Sequence, residues 1–166
     1  ETRKKIGTDL MWVPSVCAVV LRDSTVDSPW AVPDVLLVRR ADNGQWTPVT
    51  GIVDPGEEPH VAAVREVLEE TGVKVTAAAI VGVGSHGPVT HSNGDQASYM
   101  TVQIRCEPLD PSVEPAVGDD ENTEAGWFPV SQMPVTDPKW RLAIGDAAAQ
   151  RRHPGSFAPR MGLTKR

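Results

Sequence analysis

Residues 51–73 read GIVDPGEEPHVAAVREVLEETGV, and the period of the sequence changes within them. The turn DPGEEP ends in Pro59, a residue favoured at the first position of a helix. Gly72 follows as a left-handed cap that ends the helix. Apolar residues at helical spacing predict the buried face of this helix: Val61, Val64 and Leu68, with Ala62 and Val67 beside them. The stretch therefore predicts a helix between Pro59 and Gly72.

Three carboxylates crowd this predicted helix, at Glu66, Glu69 and Glu70. At about 100° per residue, all three share one sector about 100° wide. Two carboxylates about 4 Å apart repel each other by about 4 kcal/mol at an effective dielectric constant of 20. Solvent, raised pKa values or a hard divalent cation relieves that repulsion, and magnesium prefers carboxylate and water oxygens. The pattern thus indicates either a solvated acidic face or a metal site.

The same stretch resembles the Nudix box, G-x5-E-x7-R-E-U-x-E-E-x-G-U, in which U is a bulky aliphatic residue. Every fixed position of the box is matched in order, by Gly51, Glu57, Arg65, Glu66, Val67, Glu69, Glu70, Gly72 and Val73. A glycine-rich turn leads into the helix and an arginine stands beside the first of the clustered glutamates, which an ordinary acidic helix does not require. By this resemblance the chain is identified as a member of the Nudix hydrolase family.

The resemblance implies a fold and a reaction. The implied fold is α/β, a Nudix-type α/β/α sandwich with a mixed β-sheet between helices. The implied reaction is hydrolysis of the pyrophosphate bond of a nucleoside diphosphate linked to another moiety, with an ADP-ribose-like molecule or a nucleoside triphosphate as substrate. Mg²⁺, or Mn²⁺ in its place, would be the cofactor, because such ions neutralise a diphosphate and activate a water for in-line attack.

The resemblance also implies roles for the residues of the box. The metal ligands carried over by similarity are Glu66, Glu69, Glu70 and the carbonyl oxygen of Gly51. Arg65 would act in catalysis by orienting a carboxylate of the box through a charge-assisted hydrogen bond. Glu57 lies in the loop, where it would either bind a metal or position the other groups.

A general base is expected from outside the box, in the acidic run GDDENTEAGWF at 118–128. Glu124 is our choice, because it immediately precedes the last predicted strand. Asp119, Asp120 and Glu121 are also available, and for the two aspartates a solvated loop is the simpler interpretation. Glu66 is the alternative base, instead of or as well as being a ligand.

Residues that select the substrate lie outside the box. Arg39 and Arg40 end a strand close to the box in sequence, and because side chains alternate along a strand they point to opposite faces. Either could meet a phosphate, and the alternative is a surface arginine. Trp46 could stack on a base or simply pack the helix against the sheet. The same alternatives stand for Tyr99 and Trp127. His86 and His91 flank the long loop and could gate or contact the substrate, and the alternative for them is a loop histidine without a role.

The remaining pattern is strands, one helix, strands, and a closing helix, which favours a mixed sheet between helices. The predicted strands are 13–23, 35–41, 73–86, 97–109 and 125–130, with a long polar loop over 86–96 and the closing helix over 137–152. We expect one domain over 1–152 and a basic, loosely held tail over 153–166.

Composition narrows the class of protein. The chain has 166 residues with a net charge of −6, so neither nucleic acid nor an anionic membrane is an expected partner. A nucleotide-type small molecule is the expected partner, and a homodimer is left open. No apolar run is long enough to span a membrane, and ETRKKIGTDLMW lacks the apolar core of a signal peptide, so a cytoplasmic location is expected. The two cysteines, Cys17 and Cys106, lie in apolar runs and are expected to be buried free thiols.

Two other functions compete with hydrolysis. The first is a module that senses a nucleotide without turnover, against which the complete set of carboxylates argues. The second is an isomerase acting on an isoprenoid diphosphate, which would need a reactive cysteine.

Overall fold

A computed structural model describes residues 9–162 of the chain. Within that range the chain forms eight strands and two helices: β1 (Met11–Arg22), β2 (Asp34–Arg40), β3 (Trp46–Thr47), β4 (Val49–Ile52), α1 (Pro59–Thr71), β5 (Val75–Thr90), β6 (Gln96–Pro108), β7 (Asn122–Pro129), α2 (Pro138–Arg152) and β8 (Arg160–Met161). The strands form one mixed sheet in the order β3-β2-β1-β6-β5-β8, with β4 also paired to β1 and β7 to β2. The predicted α/β fold with a mixed sheet between helices is confirmed.

The second half of β1 is buried on both faces, and one helix covers each face. Its residues from Val16 to Leu21 are all buried, because both faces of the central strand are covered. Even-numbered residues, from Val16 to Val20, pack in the cluster that contains α1. Odd-numbered residues, from Cys17 to Leu21, pack in the cluster that contains α2. The alternation of a strand thus divides the core into two halves.

Helix α1 begins and ends where the sequence predicts, but its buried face differs. Val61 and Leu68 are 48% and 43% exposed, so their placement on the buried stripe is wrong, whereas Val64 is half-buried against the core. Ala62 and Val67, predicted beside the stripe, are buried together with Ala63 and form its centre. The sequence fits two overlapping stripes at helical spacing, and the one with two alanines lets the helix backbone approach the sheet more closely. That choice also turns Glu70 toward the protein interior.

Two boundaries move relative to the prediction. The polar segment predicted as a loop over 86–96 is mostly strand, because β5 continues to Thr90 and β6 begins at Gln96, with which Thr90 pairs. The two strands pair through their backbone groups, so the polar side chains of this segment give no sign of the pairing. Strand β7 begins at Asn122, three residues before the predicted start, which places Glu124 inside the strand.

The predicted loose tail is instead docked through much of its described part. Phe157 packs against the α2-side core, and Arg160–Met161 pairs in parallel with Gly82 and Val83 of β5. Arg160 also holds Asp146 of α2 through two hydrogen bonds of 2.8 and 3.2 Å. The turn-forming residues of this segment suggest a loose tail, but the Phe157 ring and the Arg160–Asp146 ion pair hold it against the core. Residues 1–8 of the predicted domain and 163–166 of the tail lie outside the described residues.

Neither described helix combines the length and the apolar character needed to cross a membrane.

A buried ion pair joins β1 to β2 at the end of the sheet. Arg22 Nε lies 3.1 Å from Asp34 Oδ2, and the two side chains are 7% and 10% exposed. The same guanidinium donates to the carbonyl oxygen of Pro111 at 2.7 Å and lies over the Trp127 ring, 4.3 Å from its centroid. Arg22 therefore fixes the loop before β7 to the strands, and Trp127 serves packing.

Asp34→Ala is expected to lower the free energy of unfolding by about 3 kcal/mol, because it leaves the buried Arg22 charge unpaired. Urea denaturation measures the change. Asp23→Ala is the matched control: it removes an exposed partner of Arg151, so a loss below about 1 kcal/mol is expected. Equal losses in the two variants would contradict the assignment.

Candidate active site

A cleft of about 1030 Å³ opens where six segments of the chain meet. Three of them are the box, the turn after β2 and the segment before β7. The other three are the middle of β1, the β5–β6 hairpin and the start of α2. The residues that decide its chemistry are Gly51, Glu66, Arg40, Asp42, Asp120, Glu121, His86, His91, Tyr99, Lys139 and Trp140. Carboxylates, two cations and aromatic rings therefore share one concave surface, as is typical of ligand sites.

Arg65 is the hub of the box. Its Nε and Nη2 donate to the two oxygens of Glu57 at 2.8 and 2.9 Å. Its Nη1 donates to Glu66 at 2.9 Å and to Glu69 at 3.2 Å, while Nη2 also reaches the carbonyl oxygen of Ile52 at 3.1 Å. One guanidinium thus ties the loop to the helix, which agrees with the orienting role expected for Arg65.

Glu57 has both carboxylate oxygens engaged. Besides Arg65, it accepts a hydrogen bond from the backbone N–H of Asp54 at 3.1 Å. These hydrogen bonds, those from Arg65 first, lower the pKa of Glu57 to about 2. Of the two roles expected for Glu57, the geometry favours positioning over metal binding.

The side chain of Glu66 packs directly on the backbone of Gly51. A Cβ atom at Gly51 would collide with the carboxylate group of Glu66, so only glycine lets that side chain lie against β4. Burial raises the pKa of Glu66, and the hydrogen bond from Arg65 opposes that shift. The close approach also brings the backbone of Gly51 beside the Glu66 carboxylate.

Glu70 is the most unusual acid of the cleft region. It is only 3% exposed, and its Oε1 accepts a hydrogen bond of 2.9 Å from Asn122 Nδ2. Its Oε2 is buried and has no hydrogen-bond partner among the described residues. Burial raises the pKa of Glu70 to about 8; the bond from Asn122 lowers it, and nearby carboxylates raise it further. A buried acid oxygen without a donor is a position where a cation fits.

The segment before β7 reaches Glu70 because it satisfies the end of α1. The backbone N–H groups of Ala116 and Gly118 donate to the carbonyl oxygens of Thr71 and Glu70 at 2.9 and 3.0 Å. These carbonyls are orphans at a helix C-terminus. Gly118 must lack a side chain, since a Cβ atom there would collide with the carbonyl oxygen of Glu69.

That docked segment brings two further carboxylates to Glu70. One oxygen of each of Glu70, Asp119 and Glu121 lies within 4.8 Å of the others. The backbone N–H of Glu121 donates to Asp119 at 3.1 Å, and its carbonyl oxygen accepts from Ala41 at 2.8 Å. Three hard oxygen donors at this spacing suit a divalent cation such as Mg²⁺.

A protein-family model described as the NUDIX domain matches residues 11–149. The chain belongs to the Nudix family. It is 40% identical over 73 residues to a putative 8-oxo-dGTP diphosphatase of Bacillus subtilis (44% of each chain). It is 30% identical over 150 residues to the NAD-capped RNA hydrolase NudC of Deinococcus radiodurans, covering 87% of this chain and 48% of that one. The chain thus spans less than half the length of these two relatives.

A solved structure shows the same fold. The ADP-ribose pyrophosphatase of Streptococcus suis superposes with a TM-score of 0.65 and 20% sequence identity, over 90% of this chain and 98% of that one. At that identity the likeness establishes the Nudix fold alone.

The Nudix box does not contribute all its acids to one cluster. Glu69 is largely exposed and its carboxylate pairs with Arg65, whereas Glu70 faces the loop acids. Glu124 lies on β7 opposite Arg39, and their side chains form an exposed ion pair of 2.9 Å outside the cleft. The structure therefore brings Glu70 together with Glu121 and does not bring Glu124 to them.

Of Arg39, Arg40 and Trp46, only Arg40 lines the cleft, and of the other ring side chains considered, His86, His91 and Tyr99 line it as well. Arg39 is held outside it by Gly44 and Glu124. Trp46 packs edge-on against Phe128, with ring centroids 4.9 Å apart, and so belongs to the α2-side core. For Trp46, packing is the interpretation that the structure supports.

Aromatic rings form another wall of the cleft. His86 stacks on Tyr99 with centroids 5.0 Å apart, and His91 Nε2 lies 2.8 Å from the Tyr99 hydroxyl. Trp140 stands edge-on to His86 at 6.4 Å and carries Lys139 over its ring. Burial lowers the pKa of His86 and Lys139 lowers it further, while Asp137 opposes the shift, so the neutral form of the ring is favoured. Such a wall can pack a heteroaromatic base.

Sequence reasoning named Glu121 only after Glu124 and did not name Asn122. It did single out the acidic run at 118–128, but the contact of this run with Glu70 depends on how the run caps the C-terminus of α1. Gly118 and Asn122 give no local signal, because glycine and asparagine are ordinary loop residues.

Gly51→Ala is expected to lower the free energy of unfolding by about 1–3 kcal/mol, because the added methyl group must displace Glu66. Urea denaturation measures it. Gly145→Ala is the matched control, since that site in α2 has open space around it. There the same change should be neutral or stabilise by about 0.5–1 kcal/mol. Wild-type stability in Gly51→Ala would contradict the packing of Gly51 on Glu66.

Neither cysteine is expected to react with Ellman's reagent at pH 8 in the folded protein. Burial raises the pKa of Cys17 and of Cys106 to about 12, so the protonated thiol persists at pH 8 and the nucleophilic thiolate is scarce. In denaturant, both thiols should react at once. Rapid labelling of native protein would contradict their burial and revive the isomerase hypothesis.

Proposed function

We propose that this Nudix protein is a pyrophosphohydrolase that depends on a divalent metal and cleaves a nucleoside diphosphate linked to another moiety. The observation that carries the proposal is the buried, unpartnered Oε2 of Glu70, grouped with the carboxylates of Asp119 and Glu121. A buried acid without a donor must either hold a proton or bind a cation, and the two neighbouring carboxylates favour the cation.

The residues proposed to hold the metal are Glu66, Glu70, Asp119 and Glu121, with the Gly51 carbonyl oxygen beside them. When bound, Mg²⁺ or Mn²⁺ would neutralise the diphosphate and lower the pKa of a water. Arg65 keeps Glu66 in place from the opposite side. Glu57 and Glu69 accept hydrogen bonds from Arg65, so in this proposal they hold Arg65 in place and are not ligands of the cation.

With one oxygen toward the metal, Glu121 is proposed to accept the proton of the attacking water at its other oxygen. It lines the cleft, and its backbone is fixed on one side by Asp119 and on the other by Ala41. Glu124 is less suited, because Arg39 holds its carboxylate outside the cleft. Glu66 remains the alternative acceptor, since it also lines the cleft.

The substrate class follows from the other walls. Arg40 supplies a fixed positive charge for phosphate, and the rings at His86, Tyr99 and Trp140 supply a surface for a base. An ADP-ribose-like molecule or a nucleoside triphosphate meets both requirements. The relatives described above, named as a diphosphatase, a pyrophosphatase and a hydrolase of NAD-capped RNA, support a nucleotide substrate.

A nucleotide sensor without turnover is the competing proposal. Binding alone needs the cation and the rings, but it does not need a carboxylate free to take a proton. Glu121 has no ion pair with a described residue, which favours catalysis.

Glu121→Gln is expected to lower kcat by about 10² or more, because removal of a general base has effects of this size. Released phosphate or AMP, measured with ADP-ribose and nucleoside triphosphates in the presence of Mg²⁺, gives the rate. Glu114→Gln is the control, since Glu114 is an exposed acid of the same segment. Glu70→Gln should lower Mn²⁺ affinity together with turnover.

Wild-type rates in Glu121→Gln, with a slow Glu124→Gln, would return the base to Glu124. Undiminished Mn²⁺ binding in Glu70→Gln would remove Glu70 from the metal site.

A further inference from the structure

An acid and an arginine form an ion pair within the proposed substrate cleft. Arg40 is the last residue of β2, and Asp42 lies in the turn that follows; both line the cleft. Arg40 Nε donates to Asp42 Oδ1 and Nη2 to Asp42 Oδ2, each at 3.0 Å. This two-bond fork fixes the plane of the guanidinium.

The fork leaves the second edge of the guanidinium free. Arginine has five N–H groups, and Asp42 uses the edge formed by Nε and Nη2. Among residues 9–162, Nη1 of Arg40 has no hydrogen-bond partner. Arg65 differs, because all three of its nitrogens are engaged. Arg40 is thus an oriented cation that lines the cleft and has one unused fork.

The sheet places this cation beside the proposed metal ligands. An irregularity between Arg39 and Arg40 sets Arg40 opposite Asn122, whose side chain binds Glu70. The hydrogen bond from Asp42 is the largest cause that raises the pKa of Arg40, and the charges of Glu121 and Glu70 contribute to the same shift. The guanidinium therefore lies within electrostatic range of the acidic cluster.

We propose that Asp42 is a positioning residue, which holds Arg40 so that its second edge can bind a phosphate oxygen of the substrate. The inference rests on the proposed function, because it assumes that a diphosphate occupies the cleft.

The ion pair with Arg40 explains why Asp42 can lie in a cleft that is proposed to bind phosphate. A free carboxylate would repel the substrate, but the charge of Asp42 is offset by Arg40. Without Asp42, the long Arg40 side chain must be ordered when the ligand binds, and that ordering lowers affinity. The proton transfer at Glu121 is untouched. Asp42 should therefore affect binding and leave the chemical step unchanged.

The test measures the binding of methylenediphosphonate, a diphosphate that cannot be hydrolysed, by calorimetry with Mg²⁺ present. Asp42→Asn should weaken binding about two- to ten-fold. It should raise KM for a cleaved nucleotide by a similar factor while kcat stays within about two-fold. Arg40→Lys removes the fork, so adding Asp42→Asn to it should cause no further loss.

Asp146→Asn is the matched control, because Asp146 makes a similar two-bond fork with Arg160 outside the residues that line the cleft. Its probe affinity should equal that of the wild-type protein.

Three results would each overturn the inference. They are unchanged probe affinity in Asp42→Asn, additive losses in the double variant, and no binding of the probe by the wild-type protein. Absence of hydrolysis by a wild-type protein that binds the probe would instead defeat the proposed function, and the binding series would still decide the role of Asp42.

Discussion

Burial of the Glu70 carboxylate is the constraint around which the cleft is arranged. Helix α1 turns this acid inward, where it is 3% exposed and its pKa rises to about 8. Asn122 satisfies one oxygen, and no described residue satisfies the other. An ionised carboxylate in such a place is tolerated only when a hydrogen bond or a cation compensates the lost hydration. The surrounding loop supplies further acids rather than a donor, so Glu70 either keeps a proton, as its raised pKa allows, or binds a cation.

The acids of the box divide into two sets with different partners. Glu57 and Glu69 face Arg65, whose single guanidinium offsets part of their charge and ties the loop to the helix. Glu70 faces Asp119 and Glu121, and no described lysine or arginine makes an ion pair with these three. Glu66 lies between the sets, bound to Arg65 and packed on Gly51. Negative potential is thereby concentrated at the end of the cleft where a cation and a diphosphate would meet.

Local signals were reliable wherever the answer depended on a few consecutive residues. Pro59 and Gly72 set the limits of α1. The buried face of the same helix was predicted only in part, because two stripes fit the period and only contact with the sheet selects the one containing Ala63 and Val67. The hairpin strands over 86–96 were missed for a related reason, since backbone pairing tolerates polar side chains.

The sequence by itself determined the helix, the residue types of the box and the presence of acids before the last strand. Each of these depends on spacing within one segment, where helix period, caps and motif letters suffice. Only the tertiary structure decided that Glu121 meets Glu70, that Glu124 faces Arg39, and that Arg40 enters the cleft. Glu70 and Asn122 are 52 residues apart, and they meet because the loop before β7 satisfies the free carbonyls of α1. Such contacts depend on how segments far apart in the sequence pack together, and a pattern within one segment carries no information about that packing.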